Sequence, residues 1–119
     1  MYNINMNNHN KQFILQLQKG YFELVVLLIL KKGDSYGYEL TQKLNETKVF
    51  EAPSSSIYPV LNRLLKQKLI ENYWKEKGNR MRKYYKITPK GERVLKEYYK
   101  QYQELHKAIS YFNDGGDEA

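Results

Sequence analysis

The sequence predicts a mainly α-helical fold carrying one small β-hairpin, and three observations lead there. Apolar residues recur at helical spacing in four stretches, and residues 70 to 87 instead alternate with period two around Gly78 and Asn79. Strong helix start and stop residues fall between these stretches. With 119 residues the chain can bury the core of one compact domain, with length left for one further helix.

Taken in order, Met1 to Asn10 contains Asn3, Asn5, Asn7, Asn8 and Asn10, whose side chains compete for backbone hydrogen bonds, so residues 1–12 are expected to form a flexible arm. From Lys11 to Lys32 the apolar residues Phe13, Ile14, Leu17, Phe22 and Leu24 to Leu30 are too dense for an exposed amphipathic helix. A buried helix stopping at Gly33 is expected, possible packing against a second subunit included, with a β-strand as the competing reading of Leu24 to Leu30. Asp34 and Ser35 offer cap oxygens for a second helix, which presents Tyr36, Leu40 and Leu44 on one face and ends near Thr47. A connector around Phe50 to Pro53 leads to Ser54, Ser55 and Ser56, one of which caps a third helix whose first turn accommodates Pro59. Ile57, Leu61, Leu64 and Leu65 then face inward, leaving Ser55, Ser56, Tyr58, Asn62, Arg63 and Lys66 outward.

In the hairpin, Ile70, Asn72 and Trp74 alternate with Glu71, Tyr73 and Lys75, and after Lys77, Gly78 and Asn79 the pattern resumes with Lys83, Tyr85 and Ile87 against Arg82, Tyr84 and Lys86. Trp74, the single tryptophan, is expected to pack on the hairpin's root, and Tyr84 and Tyr85 to divide between hairpin packing and core. Thr88 followed by Pro89 starts the last helix, which runs to about Phe112. Leu95, Tyr98, Tyr102, Leu105, Ile109 and Phe112 are spaced three, four, three, four and three, a seam too long for one small domain to cover. That seam predicts a homodimer. Residues 113–119 form a short acidic tail expected to fray.

Twenty Lys and Arg oppose 13 Asp and Glu, for a net charge of +7, and residues 63 to 100 alone hold 13 basic against 4 acidic side chains. Concentrated positive charge attracts polyanions by releasing condensed counterions, and a helix with a polar outer face followed by a cationic β-ribbon suits a nucleic-acid groove. Arg80, Arg82 and Lys83 mark the ribbon as a candidate contact, since clustered like charges repel until a counter-charge arrives. The absence of cysteine excludes disulfides, thiolate nucleophiles and Cys-based zinc sites. His9 and His106 stand far apart, and there is no phosphate-cradling glycine loop or recognisable carboxylate pair, so no catalytic residue, metal or cofactor is expected. The longest apolar run has seven residues, and no charged-then-apolar leader opens the chain, so a soluble, cytoplasmic protein that does not enter membranes is expected.

Three separated motifs occur in order: Tyr36, Gly37, Tyr38, Glu39, Leu40; then Ile57, Tyr58, Pro59 with Leu61, Arg63 and Leu64; then Tyr84 and Tyr85 with Ile87, Thr88, Pro89 and Gly91. With these motifs the chain, over roughly residues 15 to 110, resembles the PadR family. The resemblance implies a winged helix-turn-helix domain over residues 13–88, followed by a C-terminal dimerisation helix over residues 89–112. It implies a homodimeric regulator, usually a repressor, that binds double-stranded DNA. Carried over by position, Ser55, Ser56, Tyr58, Asn62, Arg63 and Lys66 would lie at bases and phosphates, with Arg80, Arg82 and Lys83 of the wing beside them. Two departures stand out. Lys68 occupies a position where the family usually has glycine, and Tyr102 occupies the place of the tryptophan that the drug-binding branch uses to sandwich flat ligands.

Tyr98, Tyr99, Tyr102, Leu105 and Ile109 therefore read either as dimer seam or as the lining of a pocket for a small aromatic effector. Two other classes remain open at this point: a multidrug or phenolic sensor in which ligand binding is the primary event, and a winged-helix module for protein or RNA contact.

Overall fold

The structure, a computed structural model, describes residues 2–52 and 54–116, with residues 2–7, 54 and 55 as backbone only. Four helices and three strands follow one another: α1 (Tyr2–Lys32), β1 (Ser35–Tyr36), α2 (Gly37–Asn45), α3 (Ser54–Lys66), β2 (Ile70–Lys77), β3 (Arg80–Ile87) and α4 (Pro89–Asn113). The helix over Leu24 to Leu30 settles the helix-or-strand ambiguity of that run, for Leu24, Val26, Leu27 and Leu30 all enter the core. There they meet Leu40 and Leu44 of α2, Ile57, Leu61 and Leu64 of α3, Ile70 of β2 and Leu95 of α4. By length and hydropathy Asn8–Lys32 would also pass as a helix able to cross a bilayer. Its C-terminal half is instead the central helix of this core.

Two boundaries differ from expectation. The asparagine-rich arm continues α1 back to Tyr2. A helix whose nucleus is anchored in a core gains one backbone bond per added residue, which offsets a propensity cost of roughly half a kcal/mol per asparagine. The second difference is at Asp34 and Ser35, which do not cap α2. Ser35 and Tyr36 pair with Tyr85 and Tyr84 as an edge strand, giving an antiparallel sheet of order β1-β3-β2. Strand pairing moves the helix start to Gly37, where the Tyr36 N–H donates to the Glu39 carboxylate at 3.2 Å. Ser35 is fully buried, and its hydroxyl accepts from Lys43 Nζ at 2.9 Å.

The expected hairpin is present, and its register sets Ile70 opposite Ile87, Asn72 opposite Tyr85 and Trp74 opposite Lys83. Its two-residue turn places Gly78 and Asn79 at φ 60 and 63, the left-handed pair whose twist matches that of the flanking strands. α3 ends in a Schellman arrangement. The Leu69 N–H donates to the Leu64 carbonyl at 3.0 Å, and the Lys68 N–H to the Leu65 carbonyl at 2.9 Å. Lys68 therefore takes up the left-handed backbone (φ 62) that the family glycine would supply without strain.

The same turn receives α4. Thr88 caps that helix by accepting the Gly91 N–H at 3.0 Å, while its own hydroxyl donates to the Lys68 carbonyl at 2.8 Å. Gly91 is pressed against this junction so closely that a Cβ on it would stand 2.1 Å from the Leu69 carbonyl oxygen.

Candidate nucleic-acid interface

α3 is amphipathic about a sharp boundary. Ile57, Val60, Leu61 and Leu64 are buried, whereas Tyr58, Pro59, Asn62, Arg63 and Lys66 are exposed. Helical geometry puts Pro59, Asn62 and Lys66 along the centre of the outer face, with Tyr58 on one flank and Arg63 on the other. Pro59 is the sixth residue of the helix as formed, not part of its first turn. It has no N–H for the Ser55 carbonyl, a loss tolerated on the outer face because water can satisfy that oxygen. The Ser55 side chain lies outside the described residues, and Ser56 is half-buried.

The two flanking residues are engaged within the protein. Arg63 Nε donates to Glu23 Oε1 of α1 at 2.9 Å, an ion pair whose side chains remain 53% and 27% exposed. Exposed pairs of this kind are worth at most about 1 kcal/mol, so a phosphate or base edge can compete for the guanidinium. On the other flank the Tyr58 ring abuts Gly37 at the start of α2, where an added Cβ would meet its hydroxyl at 2.8 Å. Tyr58 thus spaces the two helices of the helix-turn-helix while about half of it stays in solvent.

The segment that sets this spacing is tied down by two amide side chains. Asn45 Nδ2 donates to the Ala52 carbonyl at 3.0 Å while its Oδ1 accepts the Ala52 N–H at 2.8 Å. Gln18, buried in the apolar surroundings of α1, does the same for Glu51 at 3.2 and 3.0 Å. The sequence offered a faint sign of this, a polar residue within a densely apolar helix.

The wing has two chemically different faces. On one, Tyr84 is stacked on Tyr73 and meets Tyr36 edge-on, with ring centroids 5.7 and 5.4 Å apart. Arg82 lies over Tyr36 at 4.6 Å, and Lys75 over Tyr84 at 5.4 Å. Lys77 pairs with Glu39 at 3.7 Å. The Tyr73 hydroxyl donates to Asp34 at 2.6 Å, and that bond to a carboxylate pushes the phenol up to about 12. This face latches the wing to β1 and α2, and Arg82 is part of the latch as much as of the charged surface.

The opposite face carries Tyr85, whose phenol is pushed up by burial and then by neighbouring Tyr58. Further out on that face, Lys83 lies 5.4 Å over the Trp74 ring. Trp74 does not pack on the wing root: it is 62% exposed, because its place in the register falls beyond the reach of the helices. Arg80 and Arg82 thus share one face and Lys83 takes the other, so these three predicted contacts do not form one cluster. Arg80 sits at the hairpin tip, next to the turn.

The predicted effector seam is likewise only partly assembled. Tyr99 and Tyr102 line a cavity of about 390 Å³ whose other walls come from α1 and the α2–α3 connector, Leu17, Tyr21, Val25 and Phe50 among them. Tyr21 meets Tyr102 edge-on at 5.7 Å. Tyr98 and Leu105 border an adjoining groove beside Glu23 that shares Tyr21, Leu24 and Tyr102 with the cavity, and Ile109, 55% exposed, lies beyond both. The α1 contribution was missed because no spacing rule links residues some 80 positions apart in the chain.

A polar-faced helix beside a cationic two-stranded wing is a winged helix-turn-helix, and the profile of the transcriptional regulator PadR-like family matches residues 26–97. The chain belongs to that family. Solved structures of PadR regulators superpose on it closely. A PadR-like regulator of Bacillus cereus is 37% identical with a TM-score of 0.75, over 82% of this chain and 95% of that one. A PadR family regulator of Eggerthella lenta is 28% identical with a TM-score of 0.77, over 92% and 96%. An uncharacterized protein of Lysinibacillus sphaericus is 31% identical over 82% of this chain and 92% of its own length. This PadR-like chain is accordingly a transcriptional regulator and not an enzyme.

Proposed function

We propose that this PadR-like regulator is a repressor that binds an inverted-repeat operator as a homodimer, one α3 per major groove, with half-site centres roughly 34 Å apart. The observation that carries the reading is the outer face of α3. Asn62 and Lys66 stand exposed at its centre, Arg63 stands at its edge, and the basic wing continues the surface. Asn62 and Arg63 have side chains able to make paired hydrogen bonds to a base edge. Lys66, Lys83 and Arg80 supply phosphate contacts, and Ser55, Ser56 and Tyr58 complete the helix's share.

The homodimer is supported by the exposed apolar row on α4, with Leu105, Ile109 and Phe112 at 50%, 55% and 71% exposure, and by Phe13 and Leu17 on α1. Burying such a row against a second copy is the ordinary remedy for an apolar helix face in solution. A repressor of this kind acts at the chromosome, in the cytoplasm.

A second element of the reading is release by a small aromatic effector. It is favoured by the cavity between α1 and α4, which is apolar and walled by Tyr21, Phe50, Tyr99 and Tyr102. An effector held there between two helices of the dimer would alter the distance between the two α3 helices.

The experiment is a gel shift on the DNA upstream of the protein's own gene, with excess random duplex and salt raised from about 50 to 200 mM, where phosphate-only binding collapses. A discrete complex that survives competitor supports the operator reading. Equal loss on both DNAs over the same salt range sinks it.

A further inference from the structure

On the face of the wing that carries Lys83, Trp74 and Met81 are left without a task. The register sets Ile70, Asn72, Trp74 and Glu76 of β2 on the same side as Ile87, Tyr85, Lys83 and Met81 of β3. Along this face burial changes abruptly. Ile70 and Tyr85 are 2% and 5% exposed at the root, whereas Trp74 and Met81 are 62% and 60% exposed toward the tip. The root of this face is packed into the core, where Ile70 and Tyr85 belong to the same buried cluster as Ile57, Leu61 and Leu64 of α3. Beyond the root the face leaves the core and stands in solvent.

The exposed part carries the Trp74 indole, the Met81 thioether, the Lys83 ammonium, Asn72 and one acid, Glu76, with Lys83 5.4 Å over the indole ring. Positive charge with an exposed aromatic plane suits the wall of a DNA groove, where sugars and base edges offer apolar surface between phosphates.

We propose that Trp74, with Met81 and Lys83, is a DNA-contact surface of the wing: the indole lies against the sugar wall of the groove next to the one α3 enters, and Lys83 meets the adjoining phosphate. The proposal rests on the DNA-regulator reading and assigns that reading its apolar contact. Because Trp74 carries no charge, its share of affinity is insensitive to salt and to base sequence. That separates it from the lysines, which are salt-sensitive, and from Asn62 and Arg63, which read sequence.

Trp74 is the one tryptophan in the chain, so its emission reports on the wing alone. The full-length protein is titrated into a fluorescein-labelled duplex, and DNA anisotropy and tryptophan emission are recorded together. Emission is expected to change in step with anisotropy, on random duplex and on the upstream DNA alike. Trp74→Ala is expected to weaken binding to both DNAs by about tenfold with the salt slope unchanged, and Trp74→Phe to restore most of the loss. Lys83→Ala should instead reduce the slope by about one.

Anisotropy that rises while emission stays constant overturns the contact and leaves the regulator reading intact. So does a Trp74→Ala variant that binds both DNAs as the parent does. Anisotropy that never rises, even at low salt, overturns the regulator reading and this contact together.

Discussion

Lys68 holds a left-handed backbone at φ 62, a conformation that costs a residue with a Cβ on the order of 1 kcal/mol and costs glycine little. The turn around it is otherwise complete, with both Schellman bonds made and Leu69 buried against Leu64. Lys68→Gly should therefore raise the melting temperature by about 4 °C, as read by thermal unfolding, and an unchanged or lower value would show that the left-handed turn carries no strain. Glu23 is a different case, because its carboxylate engages the guanidinium that α3 would present to DNA. Glu23→Gln should tighten DNA binding severalfold and steepen its salt dependence, while Arg63→Ala should weaken operator binding more than random-duplex binding. Equal losses on both DNAs would remove Arg63 from sequence reading.

Tyr73 gives a pH dependence. Its phenol ionises at about 12 in the folded protein, above the ordinary value of 10.0, because the hydroxyl donates to Asp34. The folded state thus holds that proton more tightly than the unfolded chain does. The contribution is fully present below pH 10 and is lost as pH rises toward 12. Tyr73→Phe should flatten the fall of stability across that window, measured by urea unfolding at stepped pH.

Among the elements, α4 shows how a junction constrains a helix. Its first turn is fastened to the α3–β2 turn through Thr88, and Gly91 allows the close approach. Alanine is a better helix former than glycine by about 1 kcal/mol, yet Gly91→Ala should destabilise the protein by several kcal/mol, because the Leu69 carbonyl oxygen 2.1 Å from the new Cβ is backbone and cannot turn aside. A denaturant midpoint unchanged or raised by Gly91→Ala would show that α4 can slide away from the turn. In the wing, Tyr36, Tyr73, Tyr84 and Arg82 make a stacked unit anchored on α2 by Glu39. Loss of Arg82 accordingly removes packing as well as charge.

For the molecule as a whole, the apolar row of α4 and, on α1, Phe13, Leu15 and Leu17 lie open to solvent in the single chain. Ile109→Glu combined with Phe112→Glu should convert a dimer to a monomer in light scattering, and should lower operator affinity by far more than either residue's distance from DNA suggests. Two half-sites bound by one dimer share a single loss of freedom, whereas two monomers lose it twice. A double variant that stays dimeric would place the interface elsewhere.

Much of this was legible in the chain itself. The period-two run broken at Gly78 and Asn79 determined the hairpin. Thr88-Pro89 determined the start of α4, and the apolar row Ile57, Leu61, Leu64 determined which side of α3 faces out. These are local or strictly periodic signals, so few residues suffice to carry them. Tertiary structure decided what depends on distant partners. It drew Ser35 from a helix cap and Tyr36 from a helix face into a strand, because Tyr84 and Tyr85 lie alongside. It turned Arg63 toward Glu23, spread Arg82 over Tyr36, left Trp74 in solvent and built the cavity from Tyr21 with Tyr102. Each of these contacts joins residues far apart in sequence, and no propensity or spacing records a contact before the chain has closed around it.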